Sequence, residues 1–251
     1  MTASASPEAP GTAPRPRSRR PGPIRLALEW RAPAEASATL LLWPWLRRGA
    51  KGDGHPVLVL PGLGASDFST ALLRRYLSGQ GFDAHAWRLG RNLGPREGVF
   101  EALQQRLQHL HQQSGRRVSL VGWSLGGVFA RELAKRQPDA VRQLITLGSP
   151  MPGHNHASNA RRFYEFAAGR RAYPQELMAR LHEPVPAHIP STSVYSWTDG
   201  IVHWRASLQP EGEQRQNIRV AASHCGMGAN PWVLRLLAQQ LSKPELQAGD
   251  L

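Results

Sequence analysis

Gly122-Trp123-Ser124-Leu125-Gly126 sets a serine between two glycines in a G-x-S-x-G run. A serine hydroxyl is a poor nucleophile until a base takes its proton, and that base works best when a carboxylate fixes its tautomer. The chemistry such a serine offers is acyl transfer. Its surroundings suit the task, because the run follows the apolar segment Arg117 to Val121 and opens a helical pattern through Val128, Phe129, Ala130 and Leu133. A strand that turns sharply into a helix lifts the hydroxyl clear of the backbone, and Gly122 and Gly126 remove the side chains that would collide there. The helix N-terminus also aims backbone N–H groups where negative charge would develop.

Ten histidines compete for the role of base. With a serine on such an elbow the chain order is serine, acid, histidine, which leaves His154, His156, His182, His188, His203 and His224. Of these, His224 in Ala222-Ser223-His224-Cys225-Gly226 follows the last strand pattern and precedes the last helix pattern, where an imidazole can reach over the strand ends. Asp199, in Ser196-Trp197-Thr198-Asp199-Gly200, follows the preceding strand at its carboxyl end. Asp139 is the rival acid, but it precedes a strand and so belongs to the opposite edge of a parallel sheet. Two amides are candidates for holding an oxyanion: Leu125, directly after the serine, and Leu63 in Pro61-Gly62-Leu63-Gly64 after the first core strand. Cys225 lacks an elbow of its own, and a free cysteine is more often a small packed residue than a nucleophile. The histidines form no cluster with the spacing of a metal site, so no metal and no organic cofactor is expected.

The elements that must position these residues alternate. Apolar strand patterns at His55–Leu60, Phe82–Trp87, Arg117–Val121, Val141–Leu147, Ser193–Trp197 and Ile218–Ala222 are separated by helical spacings at 69–79, 99–110, from Ser124, and from Asn230-Pro231 through Leu241. Strands alternating with helices imply right-handed crossovers and a mostly parallel sheet with helices on both faces, an α/β fold. Residues 1–23 carry six prolines and four arginines and read as a disordered tail. Residues 24–50 read as an N-terminal helical segment, and 51–251 as the α/β domain with a helical insertion at 150–188. The net charge of +13 admits contact with acidic or anionic partners without naming one, and no nucleic-acid motif accompanies it. One cysteine excludes an intramolecular disulfide. The longest apolar run, 38–46, is too short to span a bilayer and is broken by Pro44. With no convincing signal peptide either, a cytoplasmic location is expected.

Four motifs in order, VLVLPGLG, GWSLGG, SWTDGIV and ASHCGMGANP, resemble the α/β-hydrolase superfamily, in particular bacterial lipases and esterases, over about residues 55–242. Many members carry His-Gly where this chain has Pro61-Gly62, so a histidine contribution at that turn is absent. The resemblance implies serine-dependent hydrolysis of a small-molecule carboxylic ester, with lipid esters among the candidates, by Ser124, His224 and Asp199, with the Leu63 and Leu125 amides as oxyanion hole. It also places 150–188 in the cap or lid position. There, Phe163, Tyr164, Phe166 and Tyr173 beside Arg161, Arg162, Arg170 and Arg171 read either as a lid that docks on an anionic membrane surface or as a cap with its own core and solvated arginines. Two alternatives stand beside hydrolysis: an acyltransferase with the same triad, and a catalytically silent hydrolase-fold binding protein.

Overall fold

The computed structural model describes residues 21–151 and 183–245. The tail at 1–20, most of the expected cap, and His154, His156 and His182 lie outside the described residues. Six strands, β1 (Pro56–Leu60), β2 (Asp83–Ala86), β3 (Val118–Trp123), β4 (Val141–Leu147), β5 (Ser191–Tyr195) and β6 (Arg215–Arg219), form one sheet in the order β2-β1-β3-β4-β5-β6. Every adjacent pair is parallel. The strand carrying the serine motif is therefore central, and the carboxyl ends of β3, β4, β5 and β6 share one edge.

Period-two alternation divides the sheet's side chains between two cores. Leu58, Leu60, Leu120 and Leu144 face α5 (Val99–Ser114) and α6 (Leu125–Arg136), meeting Leu103, Leu107, Leu110, Phe129 and Leu133. Val57, Val59, Val121, Ile145 and Val194 face the other way. They pack on α4 (Ala71–Gly79) through Leu73, Tyr76 and Leu77, and on α7 (Pro231–Leu241) through Val233, Leu234 and Leu237. Both β1 and β4 are buried along their whole length; β1 is apolar throughout, whereas β4 carries Arg142, Gln143 and Thr146 among its apolar residues. Asn230 caps α7, its side chain accepting from the Trp232 and Val233 N–H groups, with Pro231 in the first turn.

Two strands sit earlier than their apolar residues suggest. β5 begins at Ser191 instead of Ser193, because its polar side chains are satisfied inside the fold: Ser191 Oγ donates to Gln209 Oε1 at 2.8 Å and Ser193 Oγ to the Ser207 carbonyl at 2.5 Å. β6 is Arg215–Arg219 instead of Ile218–Ala222. It is an edge strand with half-exposed residues, so hydropathy does not mark it. His224 consequently stands on a loop that begins at Val220, four residues upstream. β3 runs two residues past Val121, to Trp123, so the strand reaches the serine itself.

Ahead of the sheet the chain forms α1 (Pro23–Ala27), a 3-10 turn (Leu28–Arg31), α2 (Ala32–Leu41) and α3 (Trp43–Leu46). α3 docks on the second core through Leu46. The Trp45 ring meets Trp232 of α7 edge-on at 5.0 Å between centroids. Among the described residues no helix is long and apolar enough to cross a membrane.

Candidate active site

Ser124 sits at the junction of β3 and α6 with φ 54° and ψ −119°, one of two non-glycine residues in the described chain with positive φ. This conformation is costly for an L-residue and persists only where surrounding contacts impose it. They do so here. The Ser124 N–H donates to the Leu147 carbonyl at 2.8 Å, tying the turn to the end of β4. A Cβ added at Gly126 would lie 2.3 Å from the Leu60 carbonyl oxygen, and one at Gly122 would lie 2.4 Å from the Gly127 Cα. The elbow therefore closes only with glycine at both flanks.

Leu125 is the first residue of α6, so its N–H has no acceptor inside the helix and faces the region beyond the strand ends. The loop holding Leu63 lies alongside, since the Cβ position of Gly62 is 3.3 Å from the Ser124 Cβ. Asn92, fully buried, fixes this loop. Its Nδ2 donates to the Pro61 carbonyl at 2.8 Å, its N–H to the Ala65 carbonyl at 2.8 Å, and its own carbonyl accepts from the Gly64 N–H at 2.7 Å. Sequence reading missed Asn92: it lies in the glycine-rich segment after β2, and only the fold brings it to Pro61.

Asp199 and His224 meet. His224 Nδ1 lies 2.7 Å from Asp199 Oδ2, and because an ionised carboxylate only accepts, the Nδ1 proton donates into this contact and Nε2 carries the ring's lone pair. The other carboxylate oxygen of Asp199 accepts from the Ile201 and Val202 N–H groups at 2.9 and 2.7 Å. The turn role and the imidazole role thus fall on different oxygens of one side chain. Burial by itself would depress the His224 pKa. The charge of Asp199, its hydrogen bond and then the charge of Glu29 outweigh that burial and hold the pKa above 6.5. Gly148, at φ 54°, lies under the pair: a Cβ there would stand 3.0 Å from both Asp199 Oδ2 and His224 Nδ1.

The His224 loop is fastened to the elbow by Trp123, whose indole N–H donates to the His224 carbonyl at 3.0 Å. Asp139 is exposed in a 3-10 turn before β4, at the far edge of the sheet. His188 precedes β5 at that same far edge, and His203 caps a 3-10 turn by accepting the Arg205 N–H. The Cys225 thiol is pushed up to about 12 by partial burial and by the Glu29 carboxylate, so it stays protonated at neutral pH. No group of three metal-ligating side chains occurs among the described residues.

The sequence profile of the palmitoyl protein thioesterase family matches residues 56–197, more than half of the chain. The protein belongs to this family. The matched palmitoyl protein thioesterase region includes the Leu63 loop, the elbow and the strand leading to Asp199, and ends before His224. Among solved structures, Aspergillus fumigatus lipase B superposes with a TM-score of 0.57 at 18% identity, over 79% of this chain and 54% of that one. This chain spans about half the length of that lipase. A soluble variant of the Saccharomyces cerevisiae monoglyceride lipase gives 0.56 at 12% identity, over 80% and 89%, and a Paleococcus ferrophilus monoacylglycerol lipase gives 0.51 at 15%, over 76% and 96%. At these identities the likeness establishes the α/β-hydrolase fold. No curated protein sequence matches the chain.

Proposed function

We propose that this member of the palmitoyl protein thioesterase family hydrolyses carboxylic esters or thioesters through an acyl-enzyme on Ser124. The observation that carries this reading is the left-handed Ser124 at the end of β3, on the same sheet edge as the Asp199–His224 pair. In the first half-reaction, His224 Nε2 takes the Ser124 proton as Oγ attacks the acyl carbonyl. The imidazolium so formed is stabilised by Asp199, and the oxyanion by the Leu63 and Leu125 N–H groups together with the α6 N-terminus. His224 then returns the proton to the leaving alkoxide or thiolate. Water, activated by the same imidazole, completes the cycle.

An apolar acyl chain suits the surroundings. Leu63, Leu89 and Val99 are half-buried against the core that holds Leu125 and Trp87, giving an apolar wall beside the oxyanion loop. The family's description supports a thioester, and the lipase neighbours support an oxygen ester. Parallel turnover of p-nitrophenyl and S-acyl substrates of graded chain length decides between them. Ser124→Ala is expected to lower kcat for the accepted class by about 10⁴-fold or more. Full turnover by that variant would overturn the role of Ser124, and acyl transfer to an added alcohol with no free acid released would overturn hydrolysis in favour of acyl transfer.

A further inference from the structure

Asp199 and His224 arrive on different loops, after β5 and β6, and both loops meet one carboxylate that comes from neither. Glu29, in the 3-10 turn before α2, accepts three backbone N–H groups: Gly200 N–H at 2.7 Å and His224 N–H at 2.9 Å on Oε1, and Cys225 N–H at 2.7 Å on Oε2. It therefore binds the residue after the acid, the base itself and the residue after the base. Glu35 of α2 adds to the clasp, accepting the Ser223 N–H at 2.8 Å and Asn230 Nδ2 at 3.2 Å. Arg31 donates to Glu35 at 2.8 Å and also to the Thr198 hydroxyl, which in turn donates to the Ala222 carbonyl at 3.2 Å.

We propose that Glu29 is a positioning residue of the active site, which locks the acid loop to the base loop and lends its negative charge to the imidazolium formed at His224. This inference rests on the assignment of Ser124, Asp199 and His224 made above. The physical need is geometric. A base has to be held to within about 0.5 Å of its working position, and loops from two strands drift independently unless something ties them. Three charge-assisted hydrogen bonds to one carboxylate make such a tie. The need is also electrostatic, because a fixed negative charge near a buried imidazole favours its protonated form, which is the form the reaction creates. The charged and titratable groups around the His224 loop are Asp199 from the acid loop, Glu29, Arg31 and Glu35 from the N-terminal segment, and Cys225 beside it. Arg31 is paired with Glu35.

The test compares wild type, Glu29→Gln and Glu29→Asp by the pH profile of kcat/KM on an accepted ester, and by the NMR titration of the His224 ring. In Glu29→Gln one oxygen still accepts, but the amide NH2 faces the Cys225 N–H donor and the charge is gone. The expected result is a kcat lower by about tenfold to a hundredfold, matching the loss of a charged hydrogen-bond partner, with KM little changed. The acid-limb midpoint and the His224 titration are expected to move to lower pH together. Glu29→Asp keeps the charge and is expected to keep the midpoint while losing part of kcat. A midpoint does not depend on how much protein is folded, so a purely structural role would lower yield or Tm and leave it in place. Unmoved midpoints in Glu29→Gln would overturn the proposal. Wild-type protein without Ser124-dependent turnover would instead overturn the assignment beneath it, and the NMR titration would still report whether Glu29 and His224 are coupled.

Discussion

Asp199→Asn separates the two roles of that side chain. Asparagine keeps a carbonyl oxygen that can accept from the Ile201 and Val202 N–H groups, so the turn survives. What it removes is the negative oxygen 2.7 Å from His224 Nδ1. At that separation, with an effective dielectric constant of ~20, the attraction between two unit charges is about 6 kcal/mol. Delocalisation over the ring and the carboxylate lengthens the mean charge separation to about 4 Å and lowers the figure to about 4 kcal/mol. This energy appears when the imidazolium forms, so the expected loss in kcat is about 10³–10⁴-fold. The His224 pKa should also fall, because its burial would no longer be offset by the facing carboxylate, and the acid limb of kcat/KM should shift to lower pH. The assay is steady-state hydrolysis across pH, with a thermal melt as the check on folding. An Asp199→Asn enzyme that keeps its Tm and stays within tenfold of wild type would refute the reasoning and reduce Asp199 to a turn residue.

Three further outcomes are expected. Gly148→Ala forces a side chain into a left-handed backbone and against both Asp199 and His224; a cost of about 1–2 kcal/mol should lower Tm by about 2–8 °C and reduce kcat as well, read by calorimetry and turnover. Asn92→Ala leaves the buried Pro61 carbonyl without its donor, and should lower kcat by about tenfold or more through a loosened Leu63 loop, with Ser124 still reactive toward a small fluorophosphonate. His55 at the start of β1 is held below 6.5 by burial, by Arg142 and by Arg116, against the pull of Asp53. Below pH 6.5 the unfolded chain then binds a proton that the folded one refuses, so stability falls as pH falls through that window. His55→Gln should flatten the slope of unfolding free energy by up to about 1.4 kcal/mol per pH unit in urea titrations.

Much of this arrangement could be read from residue order alone, for reasons visible in the fold. β1 is buried and apolar throughout, and β4, though it carries Arg142, Gln143 and Thr146, keeps Val141, Leu144, Ile145 and Leu147 as an apolar signal. The G-x-S-x-G spacing reports a steric requirement that the clashes at Gly122 and Gly126 make explicit. β6 escaped because an edge strand need not be apolar, and β5 was displaced because the buried Ser191 and Ser193 there find internal partners. Glu29 had no local signature. It stands 171 and 195 residues from the Gly200 and His224 amides it accepts, and what selects it is backbone N–H groups, which no side-chain pattern reveals.

The central claim is that Ser124 carries an activated hydroxyl. The direct measurement is labelling with a serine-directed fluorophosphonate, followed by mass spectrometric mapping of the modified peptide and the labelling rate in wild type, Ser124→Ala and His224→Gln. The account predicts a single adduct on Ser124 in wild type, none in Ser124→Ala, and labelling at least about 10³-fold slower in His224→Gln. An adduct on another residue, or a rate untouched by loss of His224, would contradict it.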